Sequence, residues 1–492
     1  MCLPGQPVYY RRQLTGNFPY YVPGRRAHDV VRLSSSTRKD HVMSNSFVDS
    51  FVRELPLSHG QERIWLHHQV TPAGALHARA AYNMVVAEQL SGPLDIPALR
   101  RALDEIVARH EILRTVFTTS AGRPVQRVRA RGTAALEVLD LGQEPGTRVR
   151  EVVEERANRV FDLTSGPLFR ATLLRLAERE HVLCLVMHHI VGDAWSLSRV
   201  LLGELAALYA AFAAGLPSPL PPLTRQYGDY VRLRRAERIP GEQLAYWAKT
   251  LAGVPSLDMS ADPPSRAVPR STSGLVIHCS PGELHECVAL LARRIRCTPF
   301  MLYMAAYAVL LSRYTGQQDF CVGTSVAGRA EEEFEPLIGM FVNTLALRAD
   351  LSGDPPFLEF LRRVRRVALG GFAHAEVPYE LVDAVLQEER GGKPLISTMF
   401  LFNGPPAPGL SFGGLETSPV ISGLAPATFD LTLEVMRLQG HLRIMFTYDA
   451  EVVSRVAVKR MASHLERLLW SVIADPEARV SRLTMLPQWD FW

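Results

Sequence analysis

Two α/β lobes of broadly equal size are predicted for this 492-residue chain. Three features predict them. A hydrophobic content of 47% supplies enough apolar side chains for a large buried core. Helical and strand periodicities alternate along most of the chain, the pattern of layered α/β or α+β architecture. The proline-rich stretch "LPSPLPPL" at 216–223 interrupts that alternation near its middle. The expected division is a disordered tail over 1–50, one lobe over 51–222 and a second over 223–492.

Residues 1–50 contain Arg, Ser and Pro without sustained periodicity, so they read as a tail with no packed core, and Met43 is a competing start. The first ordered segment is "LPLSHGQERIWLHHQV". Asp95 is placed to cap a helix whose Leu99, Leu103, Ile106 and Val107 fall on one face. The strand "ILRTVF" is expected to follow directly. A strand at 125–130 and a helix at 147–160 come next, then strands at 169–177 and 181–188 joined by the charged turn "AERE". "SLSRVLLGELAALYAAFAAG" reads as a helix stopped by Gly215. In the second half, helices are predicted at about 241–252, 282–295, 299–314, 356–370, 379–388 and 454–474, with strands at "DFCVGTSV", "STMFLFN" and "LRIMFTYD".

Composition removes several function classes. Net charge is +4 with acids nearly balancing bases, so a nucleic-acid partner is not expected. No uninterrupted apolar run approaches the roughly 20 residues a membrane-spanning helix needs, and the N-terminus lacks a signal-peptide core. A cytoplasmic monomer without membrane association is the expectation. The six cysteines form no CxxC pair and read as free thiols. His278, Cys279, His285 and Cys287 fit no zinc spacing, and a strand end followed by an amphipathic helix accounts for them, so no metal is expected.

The chemistry concentrates in "VLCLVMHHIVGDAWSLSRV", residues 182–200. Successive side chains of a strand point to opposite faces, so His188 and His189 cannot both enter one cavity from regular strand geometry. One is the chemist and the other packs or orients. Asp193 follows the turn "IVG", where Gly192 supplies backbone freedom, and Ser196 is placed to cap the following helix. A second pair, His67 and His68, has no aspartate after it and is expected on the surface.

"MHHIVGDAWS" resembles the HHxxxDG signature of the condensation domains of nonribosomal peptide synthetases, within the chloramphenicol acetyltransferase-like superfamily. "LPLSHGQERIW", "RHEILRTVF", "YGDYV", "LIGMFVNTLALR", "HAEVPYELV" and "KPLISTMFLFN" match in the family's order, so the resemblance covers about 54–488. It implies two acetyltransferase-like lobes in a V with a central tunnel. It also implies carrier proteins as partners, each delivering a thioester on a phosphopantetheine arm, with no permanently bound cofactor. An amine or a soluble small alcohol then attacks the donor thioester beside His189, which either removes a proton or positions the nucleophile.

By the same resemblance His189, His188 and Asp193 form the catalytic set. Asp193 is read as structural, held by an ion pair with Arg114 of the "LRT" segment. Gly192 and Ala194 support the loop; Trp195, Ser196, Gly339, Asn343 and Thr344 are carried as substrate-binding positions. Ser325, Gly328 and Arg329 belong to a bridging loop. Ala194 stands where the family has glycine, which serves either a positive φ or room for the acyl arm. Competing readings are a non-catalytic platform that recruits a tailoring enzyme, an epimerisation domain and a coenzyme A-dependent acyltransferase. The full chain is expected to act as a free-standing enzyme.

Overall fold

The computed structural model describes residues 50–72, 74–142, 146–259, 273–403, 412–420, 427–438 and 440–486. The tail expected over 1–50, with Met43 and Cys2, lies outside the described residues except for Ser50.

Strands of the first half are β1 (Phe51–Pro56), β2 (Asn83–Ser91), β3 (Thr115–Ser120), β4 (Arg123–Arg129), β5 (Glu137–Asp140), β6 (Phe169–Ala177) and β7 (Glu180–His188). The second half adds β8 (Ser273–Pro281), β9 (Asp319–Val326), β10 (Asn343–Asp350), β11 (Thr398–Asn403), β12 (Glu416–Pro419), β13 (Leu431–Leu438) and β14 (His441–Asp449). They form three sheets, ordered β1-β4-β3, β12-β2-β7-β6-β5 and β10-β9-β11-β13-β14-β8. The helices are α1 (His59–Val70), α2 (Leu76–Ala80), α3 (Ile96–Arg109), α4 (Gly146–Asn158), α5 (Leu202–Ala213), α6 (Tyr227–Ala236), α7 (Gly241–Leu251), α8 (Gly282–Arg294), α9 (Pro299–Thr315), α10 (Phe357–Ala373), α11 (Tyr379–Leu386) and α12 (Arg455–Ala474).

The β6–β7 hairpin follows from its apolar run: from His181 to His188 every residue of β7 is buried, because β2 and β6 flank the strand while helices cover its faces. Asp95 caps α3 through a 2.9 Å bond from the Ala98 N–H. "ILRTVF" differs from its expectation. Glu111–Arg114 is a 3-10 turn, closed by Leu113 N–H to His110 O, and the strand begins only at Thr115.

Two hydrophobic cores correspond to the two lobes, but they do not divide at residue 222. Tyr227 and Val231 of α6 pack in the first core, as do Phe334, Leu337, Ile338, Met340 and Phe341, whereas Trp247 of α7 opens the second. The strand β12 crosses over to extend the first lobe's sheet against β2. Chain order and lobe membership therefore separate after the proline-rich stretch.

Helical residues Ser196–Ala213 are long and apolar enough by composition to cross a membrane, although polar residues interrupt the run. Leu197, Leu201, Leu205 and Leu208 spend that apolarity in the first core. Of the histidines and cysteines weighed against a zinc spacing, His278 pairs with Glu466 and His285 Nδ1 lies 3.1 Å from the Tyr303 hydroxyl. No group of three or more potential metal ligands comes together among the described residues.

Candidate active site

β7 ends at His188 in extended geometry, and His189–Val191 turn at once into a single 3-10 turn. That switch gives the two histidines different surroundings. His188 is buried, its ring edge-on to Phe161 and tilted against Tyr82, and its Nδ1 accepts the Ile190 N–H at 3.2 Å. Burial pushes its basicity well below the usual histidine range, so the ring is neutral.

His189 is only part-buried. Its N–H donates to Tyr82 O at 2.7 Å, and its Nδ1 lies 2.8 Å from Gly192 O. A carbonyl only accepts, so Nδ1 must carry the proton and Nε2 presents a lone pair. No described residue hydrogen-bonds Nε2. Burial is the largest influence on this ring and lowers its pKa, while the Gly192 carbonyl and Asp193 partly oppose it and Arg63 adds to it. The neutral ring can accept a proton or a hydrogen bond at Nε2.

Asp193 has the opposite environment. Its Oδ1 accepts from Ser196 N–H at 2.8 Å and lies 2.7 Å from the Ser196 hydroxyl, and its Oδ2 accepts from Phe341 N–H at 3.0 Å. Arg329 closes the site with Nη1 to Oδ2 at 2.7 Å and Nη2 to Oδ1 at 3.1 Å. Both side chains of this fork are at most 3% exposed. The expected partner was Arg114; instead Arg114 donates to Arg129 O at 2.6 Å, on another face of the lobe. Asp193 turns toward the segment that follows β9 because Arg329 and the Phe341 N–H converge there. The carboxylate holds structure and is too fully engaged to serve as a proton shuttle for His189.

The remaining positions sort by geometry. Gly192 has an extended backbone (φ −165°), so conformational freedom is not its use. A Cβ there would stand 2.3 Å from the Met187 sulfur, so the need is space. Asp193, not Ser196, caps the helix; Ser196 instead accepts from Arg329 Nη2 at 2.8 Å and Gly339 N–H at 3.1 Å. Its helix starts with a π turn over Ser196–Leu201, a distortion often found at functional sites. Ala194 is exposed with a negative φ. Trp195 is part-exposed, donates from Nε1 to Glu335 O at 3.3 Å, and lies beneath the Arg199 guanidinium.

In the later segment that packs in the first core, a Cβ on Gly339 would fall 2.1 Å from the Tyr227 ring, so glycine permits close approach. Asn343 was carried as a substrate contact, but its amide is consumed. Nδ2 donates to Ala375 O and Val377 O, each at 2.8 Å, and Oδ1 accepts from Thr344 N–H and Tyr379 N–H. It fastens the loop before α11. Thr344 lies beside it, part-exposed, at the start of β10. Gly328, with φ +64°, turns the chain against Phe341 O and so aims Arg329 inward.

Sequence reasoning missed the residues that α1 contributes. Gln61, fully buried, donates from Nε2 to Ile190 O at 2.9 Å, inside the histidine loop. His67 packs edge-on to Tyr82 and His68 is buried, so this pair is not surface. Helix α1 is covered on two sides, by the histidine loop and by α11. The available signal was the polar Gln61 in an otherwise amphipathic segment, three residues after the Ser58 cap.

A family model described as "Condensation domain" matches residues 52–490. Chondramide synthase of Chondromyces crocatus is 37% identical over 444 residues, 88% of this chain and 11% of that protein. The X-domain of teicoplanin biosynthesis, solved in complex with OxyB, is 28% identical with a TM-score of 0.77, covering 91% of this chain and all of that one. SgcC5 of Streptomyces globisporus, solved with a naphthyl ethanediol and sucrose, is 29% identical with a TM-score of 0.73, covering 86% of this chain and all of that one. The chain thus spans only a small part, 11%, of the chondramide synthase it matches.

Proposed function

Because the chain belongs to the condensation-domain family of nonribosomal peptide synthetases, we propose that it forms an amide or ester bond from a carrier-bound acyl thioester at His189. The observation that carries this reading is the imidazole's fixed tautomer. With Nδ1–H spent on Gly192 O, Nε2 faces outward as an acceptor on a part-exposed ring.

In this reading a phosphopantetheine arm, supplied by a carrier domain, brings the donor thioester to one side of His189 and the nucleophile arrives from the other. The amine nitrogen or hydroxyl oxygen attacks the thioester carbonyl while its proton is held by Nε2. The C–S bond then breaks, the pantetheine sulfur leaves, and the proton from the nucleophile ends on that thiol. The new bond is C–N or C–O. A neutral His189 suits this work, and its lowered pKa keeps it neutral through the physiological range. SgcC5, solved with a diol, supports keeping the hydroxyl acceptor beside the amine.

A second reading is favoured by the X-domain complex with OxyB: a docking platform for a tailoring enzyme. Single-turnover transfer from an acylated carrier protein separates the two. The catalytic reading expects His189→Ala to slow transfer by about 10²–10⁴-fold. Equal rates with and without the imidazole reject it and leave the platform.

A further inference from the structure

The histidine loop is fixed by contacts from both lobes, and one of these runs through α1. Gln61 of this helix holds Ile190 O at 2.9 Å, next to His189. One half-turn further along, Arg63 Nε donates to Glu380 Oε1 at 2.9 Å, in the first turn of α11. Glu380 is itself fixed from the second lobe, because Asn343 on β10 holds Ala375 O, Val377 O and the Tyr379 N–H, the segment that starts α11. The result is a continuous path: β10, the loop before α11, Glu380, Arg63, α1, Gln61 and the histidine loop.

We propose that the Arg63–Glu380 ion pair is a positioning link that transmits the placement of the second lobe to the His189 imidazole. This inference rests on the reading of His189 as the reactive group. Neither residue is placed on the reacting atoms; both act through α1. The pair suits adjustment because it is a single hydrogen bond that water can reach from the arginine side, Arg63 being 32% and Glu380 11% exposed. A one-ångström displacement of the imidazole is enough to cost on the order of 10²-fold in rate.

The charges around His189 give the link a signature beyond activity. From α1 it meets Arg63, from the chain entering β2 Tyr82, and from its own loop His188 and Asp193; Arg329 is spent on Asp193. Arg63 in turn meets Glu380 and Tyr379 of α11 and Tyr82.

The test compares Arg63→Gln, Glu380→Gln and their double variant with wild type, using single-turnover transfer, denaturant unfolding and the NMR titration of a labelled His189 ring. Each single variant is expected to slow transfer about ten-fold or more with little change in unfolding midpoint, and the double variant is expected to be no slower than the slower single. The His189 titration should move up in pH without Arg63, whose positive charge disfavours the imidazolium, and down without Glu380, which leaves that charge unopposed. Arg63→Lys should keep the titration while recovering part of the rate. Multiplying losses in the double variant, or an unmoved His189 titration in both singles, overturns the link. Since the titration is read without turnover, a full rate in His189→Ala would reject the catalytic reading while the ring's response still decides the link.

Discussion

Two ion pairs tie the lobes together on either side of the histidine loop, and they are built to opposite specifications. Asp193 and Arg329 form a two-bond fork that is nearly sealed from solvent and shared with Ser196 and the Phe341 N–H. Arg63 and Glu380 share one bond with a third of the arginine exposed. Burial decides what each can do. In a sealed site a charge cannot lose its partner without stranding the other, whereas water can replace a partly exposed one. The first pair fixes the fold around the site; the second leaves it adjustable.

The sharpest way to break that contrast is to remove one carboxylate from each pair. Asp193→Ala should destabilise the protein by about 3–5 kcal/mol, since the buried Arg329 loses its counter-charge. Glu380→Gln should cost no more than about 1 kcal/mol. Denaturant midpoints measure both, and equal costs would erase the distinction. An Asp193→Ala protein that folds at wild-type stability, with only its transfer lost, would place Asp193 in the chemistry instead.

The next effect in size concerns Asn343, which serves the adjustable pair from a distance. Asn343→Ala strands the Ala375 and Val377 carbonyls and the Tyr379 N–H, a loss of about 1–3 kcal/mol. Faster amide exchange confined to the segment 375–380 should accompany it. Uniform protection across that segment would instead make Asn343 free for substrate.

Much of this layout was legible in sequence wherever the cause is local. The Asp95 cap and the whole of β9 follow from spacing within a few residues, whereas the two histidines part company through the turn that begins at His189 and not through strand alternation. The Arg329 fork spans a separation of 136 residues, and no local rule distinguishes it from the Arg114 alternative. Arg329 was visible only as an arginine after a glycine; the fact that the chain buries it depends on Gly328 and Phe341 meeting across the interface. The surface placement expected for His67 and His68 failed because segments distant along the first half of the chain pack on this face of α1, with His67 against Tyr82 and His68 beside Arg79, Phe161 and His188. Helix α6 and strand β12 likewise changed lobes through contacts that periodicity does not encode.

A smaller effect tests the histidines that sequence placed on the surface. Burial, with Arg63 nearby, lowers the His67 pKa from 6.5 to about 4. A depressed histidine binds a proton in the unfolded chain before it does so in the folded one. Its contribution to stability is therefore intact above about pH 6.5 and declines as pH falls toward 4, by at most about 1.4 kcal/mol per unit. His67→Phe retains an aromatic edge against Tyr82 and removes the titrating group, so unfolding midpoints should fall less steeply between pH 6.5 and 5 than in wild type. Parallel curves would mean that His67 is solvated.

The smallest effect is expected at Ala194, where the family signature has glycine. The two reasons for a glycine there make different demands on the structure. The first, a left-handed backbone, does not apply, since Ala194 has a negative φ and opens the helix that Asp193 caps. Its methyl points to solvent at the edge of the histidine loop, so any consequence lies in the space offered to an incoming acyl arm. Ala194→Gly should then cost a few tenths of a kcal/mol, up to about 1, from the lost helical preference. Transfer of a slender donor should stay within about two-fold, while bulky donors should gain more than slender ones. Stabilisation by the glycine would show that the alanine is strained, and equal rates for both donor sizes would show that the methyl never meets the substrate. The second result would move the cause of specificity from this loop to the second lobe, whose placement reaches His189 through Arg63 and Glu380.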